Sequence, residues 1–181
     1  MYTPAEIRSI LEAAGPQMKA MVLLGLNCGM GNTDVASLPR AAVDQKNAMV
    51  IFPRPKTGIS RRCPLWPETL AAIAEVERVR PRVLDEAHGD LVFITKYGRP
   101  WVRVDAPGER SKGKNHSVVK DAVTTEFNKL LRSVGIQGER RGFYALRHTF
   151  RTVADEVGDR RAVDLIMGHE SGGDISTHYV E

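Results

Sequence analysis

The segment from Gln17 to Asn27 most constrains the fold. Met18, Met21, Val22, Leu23, Leu24 and Leu26 leave it apolar on nearly every face, and a helix that is apolar all round is stable only when other elements enclose it. Its longest apolar run, Ala20–Leu26, is far shorter than the roughly 20 residues that span a bilayer. The segment therefore predicts a central helix in a folded core. Gly25 and Gly29 would let other backbone approach it closely.

The elements that could enclose it follow from the rest of the chain. Thr3-Pro4-Ala5-Glu6 is a helix start, with Thr at the N-cap, Pro at N1 and Glu at N3. Ile7, Ile10, Leu11 and Ala14 follow at helical spacing, and Gly15-Pro16 ends the helix. After the core helix, Cys28–Asp34 is a turn, and Asn32 or Thr33 can cap a short helix through Leu38 that Pro39 ends. Ala48–Phe52 and Arg61–Leu65 predict a β-hairpin. Pro53–Ser60 joins its strands, with Lys56-Thr57-Gly58 near the tip, and Pro64 predicts that the second strand lies at an edge. Pro67 opens a helix over Glu68–Arg80 with Leu70, Ile73, Ala74 and Val76 as its apolar face. Pro81–Asp90 is a polar connection and Leu91–Ile94 a short strand or extended run. Thr95–His116 reads as a long loop in which Trp101 is a core anchor in preference to a base-stacking ring. Ser117–Val134 predicts a helix with Val118, Ala122, Val123, Phe127, Leu130 and Leu131 on one face, capped by Gly135. Two helices follow, Tyr144–Val157 stopped by Gly158 and Asp159–Met167 stopped by Gly168. The expected class is α+β, mainly α: a helical bundle with a small antiparallel sheet, in one domain of 181 residues.

The net charge of +4 is a mild basic bias. It is compatible with nucleic acid. The basic residues are grouped: Arg54 and Lys56; Arg61 and Arg62; Arg78, Arg80 and Arg82; Arg110, Lys112 and Lys114; Arg140 and Arg141; Arg160 and Arg161. Any one group alone reads as solvated surface charge. The two cysteines, Cys28 and Cys63, form no CxxC motif and have no His at metal spacing, which argues against a disulfide framework or zinc site. No signal peptide follows Met1, so the chain reads as reduced and cytoplasmic.

The last stretch, Gly142–Glu181, carries the chemistry. It sets Arg147 beside His148, then Gly168 beside His169, and ends on an isolated Tyr179. A Tyr near Arg and His is either a nucleophile in a phosphate pocket or a packed aromatic, and taken alone each of these residues is more simply structural. The order of motifs decides between them. Thr3-Pro-Ala-Glu6, Leu26–Leu38, Lys56-Thr-Gly followed by Arg62 and Pro64-Leu65, Ala145-Leu-Arg-His-Thr-Phe150, Met167-Gly-His169 and Thr177-His-Tyr179 together resemble the C-terminal catalytic domain of the tyrosine recombinases, or phage-type integrases. The resemblance runs over nearly the whole chain.

That resemblance implies a site-specific DNA recombinase or integrase, which cleaves and rejoins strands through a 3′-phosphotyrosyl link on Tyr179, with neither metal nor cofactor. Arg147 would grip the phosphate, Lys56 would protonate the leaving 5′-oxygen, and His169 would donate to a non-bridging oxygen. His148 would either face the phosphate or pack. Two positions depart from the family pattern. Gly31 stands where the first box carries Arg, and Tyr144 where the second begins with His. Loss of one oxyanion donor costs on the order of 10²–10³ in rate, so weakened activity is expected, and a DNA-binding protein that retains the fold without cleaving is the alternative. A topoisomerase-like relaxing enzyme is a third reading. Asn32, Tyr144, Arg61, Arg62 and Arg151 are candidates to replace the missing contacts at the substrate. The implied partners are double-stranded DNA and further recombinase subunits on it, with no membrane, in a bacterial cytoplasm at the nucleoid. The family's N-terminal DNA-clamping domain has no counterpart before Thr3, and only two residues follow Tyr179. The expectation is a truncated catalytic domain, monomeric without DNA.

Overall fold

A computed structural model describes residues 1–105, 118–139 and 141–169, with seven α-helices and two small antiparallel sheets among them. At its centre is α2 (Pro16–Cys28), in which every residue from Ala20 to Cys28 is buried. The first helix, α1 (Pro4–Ala13), starts on the expected capping box: Thr3 Oγ1 accepts from the Glu6 N–H, and Glu6 accepts from the Thr3 N–H at 2.8 Å. α2 packs mainly on α4 (Pro67–Arg78) and α6 (Ala145–Asp155). Gly25 makes the second contact close, since a Cβ there would stand 3.1 Å from Cβ of Leu146. Asn27 ties the end of α2 to the start of α4, its Oδ1 accepting from Trp66 N–H at 2.8 Å and Thr69 Oγ1 at 3.0 Å.

The short helix α3 (Asn32–Ala36) begins earlier than expected. Gly31 is its N-cap, because the Asp34 carboxylate accepts the Gly31 N–H at 2.8 Å and no side chain at Asn32 or Thr33 is needed. The hairpin forms from β2 (Met49–Ile51) and β3 (Arg62–Pro64), with Val50 opposite Cys63. A further strand, β1 (Val43–Asp44), pairs with β2. Its two residues are too few to show an alternation. β3 is an edge of the order β1-β2-β3, where Pro64 removes no ladder bond. On α4 the buried face is Thr69, Ala72, Ile73 and Val76, while Ala74 is exposed.

Two expectations are corrected together. Residues 95–116 are not all loop, and 117–134 are not one helix. β4 (Val102–Asp105) pairs with β5 (Val118–Asp121), and α5 (Ala122–Ser133) starts only afterwards. Asp121 separates the two, capping α5 by accepting the Thr124 N–H at 2.8 Å. The pairing is between distant segments, which a local pattern does not reveal. Leu91–Ile94 is extended and joined by isolated bridges rather than a strand, with Val92, Phe93 and Ile94 buried. Trp101 is a core anchor, its Nε1 donating to Gln17 Oε1 at 2.9 Å.

Tyr2 joins the chain's start to the entry of α6. Its ring is buried, its hydroxyl donates to the Arg141 carbonyl, and its N–H donates to Thr149 Oγ1 at 3.3 Å. Edge-to-face contacts run from Tyr2 to Phe127 and on to Phe143, with centroids 6.1 and 5.4 Å apart; such pairs add about 0.5–1.5 kcal/mol each. Burial pushes the Tyr2 hydroxyl up to about 12. The last described helix, α7 (Arg160–Met167), is capped by Asp159.

Candidate functional site

Two helices end on one arginine. α2 stops at Gly29 and α7 at Gly168, both left-handed, with φ of 60° and 63°. At Gly29 a Cβ would also meet the Phe150 ring at 2.9 Å. These turns present the carbonyls of Gly29 and Met167 to Arg147, which lies in the first turn of α6 and is buried. Its Nη1 donates to Gly29 and its Nη2 to Met167 at 3.1 Å. Helix C-termini carry partial negative charge, so the sequence builds a seat for a cation without a carboxylate. Among the described residues Arg147 has no acidic ion-pair partner. Burial, then the charge of Arg54, lower its pKa from the ordinary arginine value.

His169 follows the Gly168 turn and is half-buried. Its Nε2 stands 2.7 Å from Nη2 of Arg147, and its Nδ1 stands 3.5 Å from Oδ1 of Asp164. Burial first, then the charges of Arg147 and Arg54, pull the imidazole below its ordinary 6.5. Arg147 and His169 are thus brought together.

The other expected residues are distributed more widely. His148 is exposed and meets Tyr144 edge-on at 5.2 Å, since neighbours on a helix point about 100° apart. Tyr144 is the N-cap of α6, and its ring lies over Gly31, where a Cβ would be 3.2 Å from two ring carbons. Lys56 is exposed in the β2–β3 loop. Arg62 is exposed on β3. The amide of Asn32 is engaged elsewhere, donating to Asp121 Oδ2 at 2.9 Å and Thr124 Oγ1 at 2.8 Å. Arg151 pairs with Asp155 at 2.8 Å and Asp164 at 2.9 Å. Tyr179 lies outside the described residues, as do Arg110, Lys112, Lys114 and Arg140.

Two further arginines bear on the pocket. Arg61 is fully buried, its Nε donating to the Phe52 carbonyl at 3.1 Å and its guanidinium 5.6 Å from the Phe52 ring centre. Its Nη1 is 3.4 Å from Asp34 Oδ2, an ion-pair distance without hydrogen-bond alignment. Arg54 acts electrostatically on both Arg147 and His169. The sequence offered one signal for Arg54, its place between Pro53 and Pro55 just ahead of Lys56. Cys28 and Cys63 are free and buried nearby on α2 and β3. Two broad grooves, of about 550 and 740 Å³, include neither Arg147 nor His169 in their walls.

A model described as the phage integrase family matches residues 1–181. No curated protein matches by sequence. Among solved structures the chain is similar to XerA recombinase, at 20% identity and a TM-score of 0.71, over 94% of this chain and 56% of that one. It is similar to the Tn1549 transposon integrase in complex with circular intermediate DNA, at 18% identity and a TM-score of 0.73, over 93% and 58%. A lambda integrase dimer bound to a core site matches at 14% identity and a TM-score of 0.65, over 94% and 45%. The chain thus spans little more than half of these proteins at most, and the likeness carries the fold.

Proposed function

Because the chain belongs to the phage integrase family, the tyrosine recombinases, we propose that it is a catalytic domain that cleaves and rejoins DNA strands at a specific site. Tyr179 gives up its phenolic proton to solvent and attacks the phosphorus, the Tyr Oη–P bond forms, and the P–O5′ bond breaks. The link conserves the phosphodiester, so a second strand's 5′-hydroxyl can reverse the attack without a high-energy cofactor. Arg147 meets the charge that develops on the non-bridging oxygens. Lys56, on an exposed loop, gives its proton to the leaving 5′-oxygen. The substrate is double-stranded DNA, on which further subunits assemble, and the isolated chain is a monomer.

The observation that carries this reading is Arg147: a buried guanidinium, held by two helix C-termini, beside His169 and without a carboxylate partner among the described residues. Such a preorganised donor suits an anion that arrives from outside. The test begins with selection of bound duplexes from a random-sequence pool. A selected site is then placed in a nicked suicide duplex, and the expected product is a covalent protein–DNA adduct that Tyr179→Phe abolishes. Adducts from no selected site would overturn the reading.

Gly31 under the Tyr144 ring favours a second reading, a DNA-binding protein that does not cleave. It predicts salt-dependent binding that Tyr179→Phe leaves intact, without adduct or nicking.

A further inference from the structure

We infer that Arg54 supplies the second guanidinium of the phosphate pocket, in place of the side chain that Gly31 lacks. The inference rests on the reading of Arg147 and His169 as a phosphate site.

Arg54 is held at the base of its loop while Lys56 is exposed at the tip. It stands between Pro53 and Pro55; the proline that follows restricts it to extended backbone. Its N–H donates to the Ile59 carbonyl at 2.9 Å, and its carbonyl accepts from Thr57 at 3.1 Å and Gly58 at 2.8 Å. Its side chain lies along the Gly168 turn, where a Cβ would stand 3.0 Å from Arg54 Cβ and 3.5 Å from Cδ. That same turn carries the Met167 carbonyl that fixes Arg147, and it leads into His169. The Arg54 charge is accordingly felt at both residues.

Nothing described neutralises Arg54. Arg61, Arg141 and Arg151 each have a carboxylate within ion-pair distance, whereas Arg54 has no hydrogen-bonded or ion-paired side-chain partner among the described residues. Meanwhile the Tyr144 ring lies against Gly31, where a side chain would otherwise stand. Two guanidiniums that repel one another are stabilised when an oxyanion enters between them.

The test uses inorganic sulfate, whose charge is constant where histidine titrates. Sulfate is titrated into the whole chain while the His169 ring is followed by NMR, with His169→Gln to assign it. Arg54→Gln is expected to weaken sulfate binding about tenfold, as does Arg147→Gln, and to raise the His169 pKa. Arg54→Lys should keep the low pKa but bind less tightly than Arg, since it lacks the planar fork. Arg78→Gln, at an exposed arginine of α4 paired with Glu75, should bind as the parent does. If Arg147→Gln weakens sulfate and Arg54→Gln does not, the assignment to Arg54 is overturned while the phosphate site stands. If sulfate leaves His169 unmoved in the parent chain, the phosphate site itself fails, and the inference with it.

Discussion

Nη2 of Arg147 lies 2.7 Å from Nε2 of His169. A guanidinium has only donors, so the imidazole nitrogen must accept. The ring proton is therefore on Nδ1, which faces Asp164 Oδ1 at 3.5 Å. His169 is an acceptor for Arg147 in this arrangement. To donate to a phosphate oxygen from Nε2 it must gain a proton or change tautomer, and an anion between the two residues favours both.

This geometry predicts the pH response of His169. Its folded pKa lies below the ordinary 6.5, through burial first and then the charges of Arg147 and Arg54, with Asp164 opposing them. A lowered folded value means that the unfolded chain binds the proton more readily. The contribution to stability is complete above about pH 6.5 and is lost as pH falls through the folded midpoint. Urea denaturation should show the parent chain losing more stability than His169→Gln across that window. Asp164→Asn should move the NMR midpoint still lower. A midpoint at or above the ordinary value would contradict the arrangement.

Positions 31 and 144 should be energetically coupled. Gly31 has φ −93° and ψ −179°, a backbone that any residue adopts, so the Tyr144 ring is the main obstacle to a side chain there. Gly31→Ala is expected to cost about 1 kcal/mol in the parent chain and clearly less in a Tyr144→Ala background. A double-mutant cycle by urea denaturation measures the difference. Additivity within roughly 0.3 kcal/mol would place the ring elsewhere.

Asp34 has two structural duties, which predicts a large loss when it is removed. It accepts the Gly31 N–H and is the acid nearest the buried Arg61. Asp34→Ala leaves a guanidinium in the core without a counter-charge, and breaking a buried pair in this way costs about 3–5 kcal/mol. Adding Arg61→Met to Asp34→Ala should recover part of that loss, because the stranded charge is then gone. If the double variant is no more stable than Asp34→Ala, the two residues do not form a pair.

The sequence was legible where local rules suffice. The helix starts at Thr3 and Asp159, the stop at Gly168, and the all-apolar α2 follow from capping and periodicity, whereas α6 ends at Asp155, short of Gly158. What stayed hidden was non-local. β4 and β5 stabilise each other across the segment between them, and neither alone has a strong pattern. The same holds in the site. Arg147 and His169 were readable from their boxes, but Asn32 was expected at the substrate and instead binds Asp121 and Thr124. Arg54 meets the Gly168 turn only because the hairpin folds back onto it. Pairing across the fold, rather than residue type, decides which of several arginines faces the site.

Lys56 can be tested by changing the leaving group instead of the protein alone. It is exposed in the β2–β3 loop, so its substitution by Ala should leave stability within about 0.5 kcal/mol of the parent. If its ammonium protonates the departing 5′-oxygen, Lys56→Ala should slow cleavage of a selected suicide duplex by about 10²–10⁴-fold. A duplex with sulfur in the bridging 5′ position carries a leaving group that departs without a proton. On that substrate Lys56→Ala should cleave nearly as fast as the parent chain, while Tyr179→Phe should remain inactive on both. Equal loss on the oxygen and sulfur substrates would mean that Lys56 holds the DNA and does not transfer the proton.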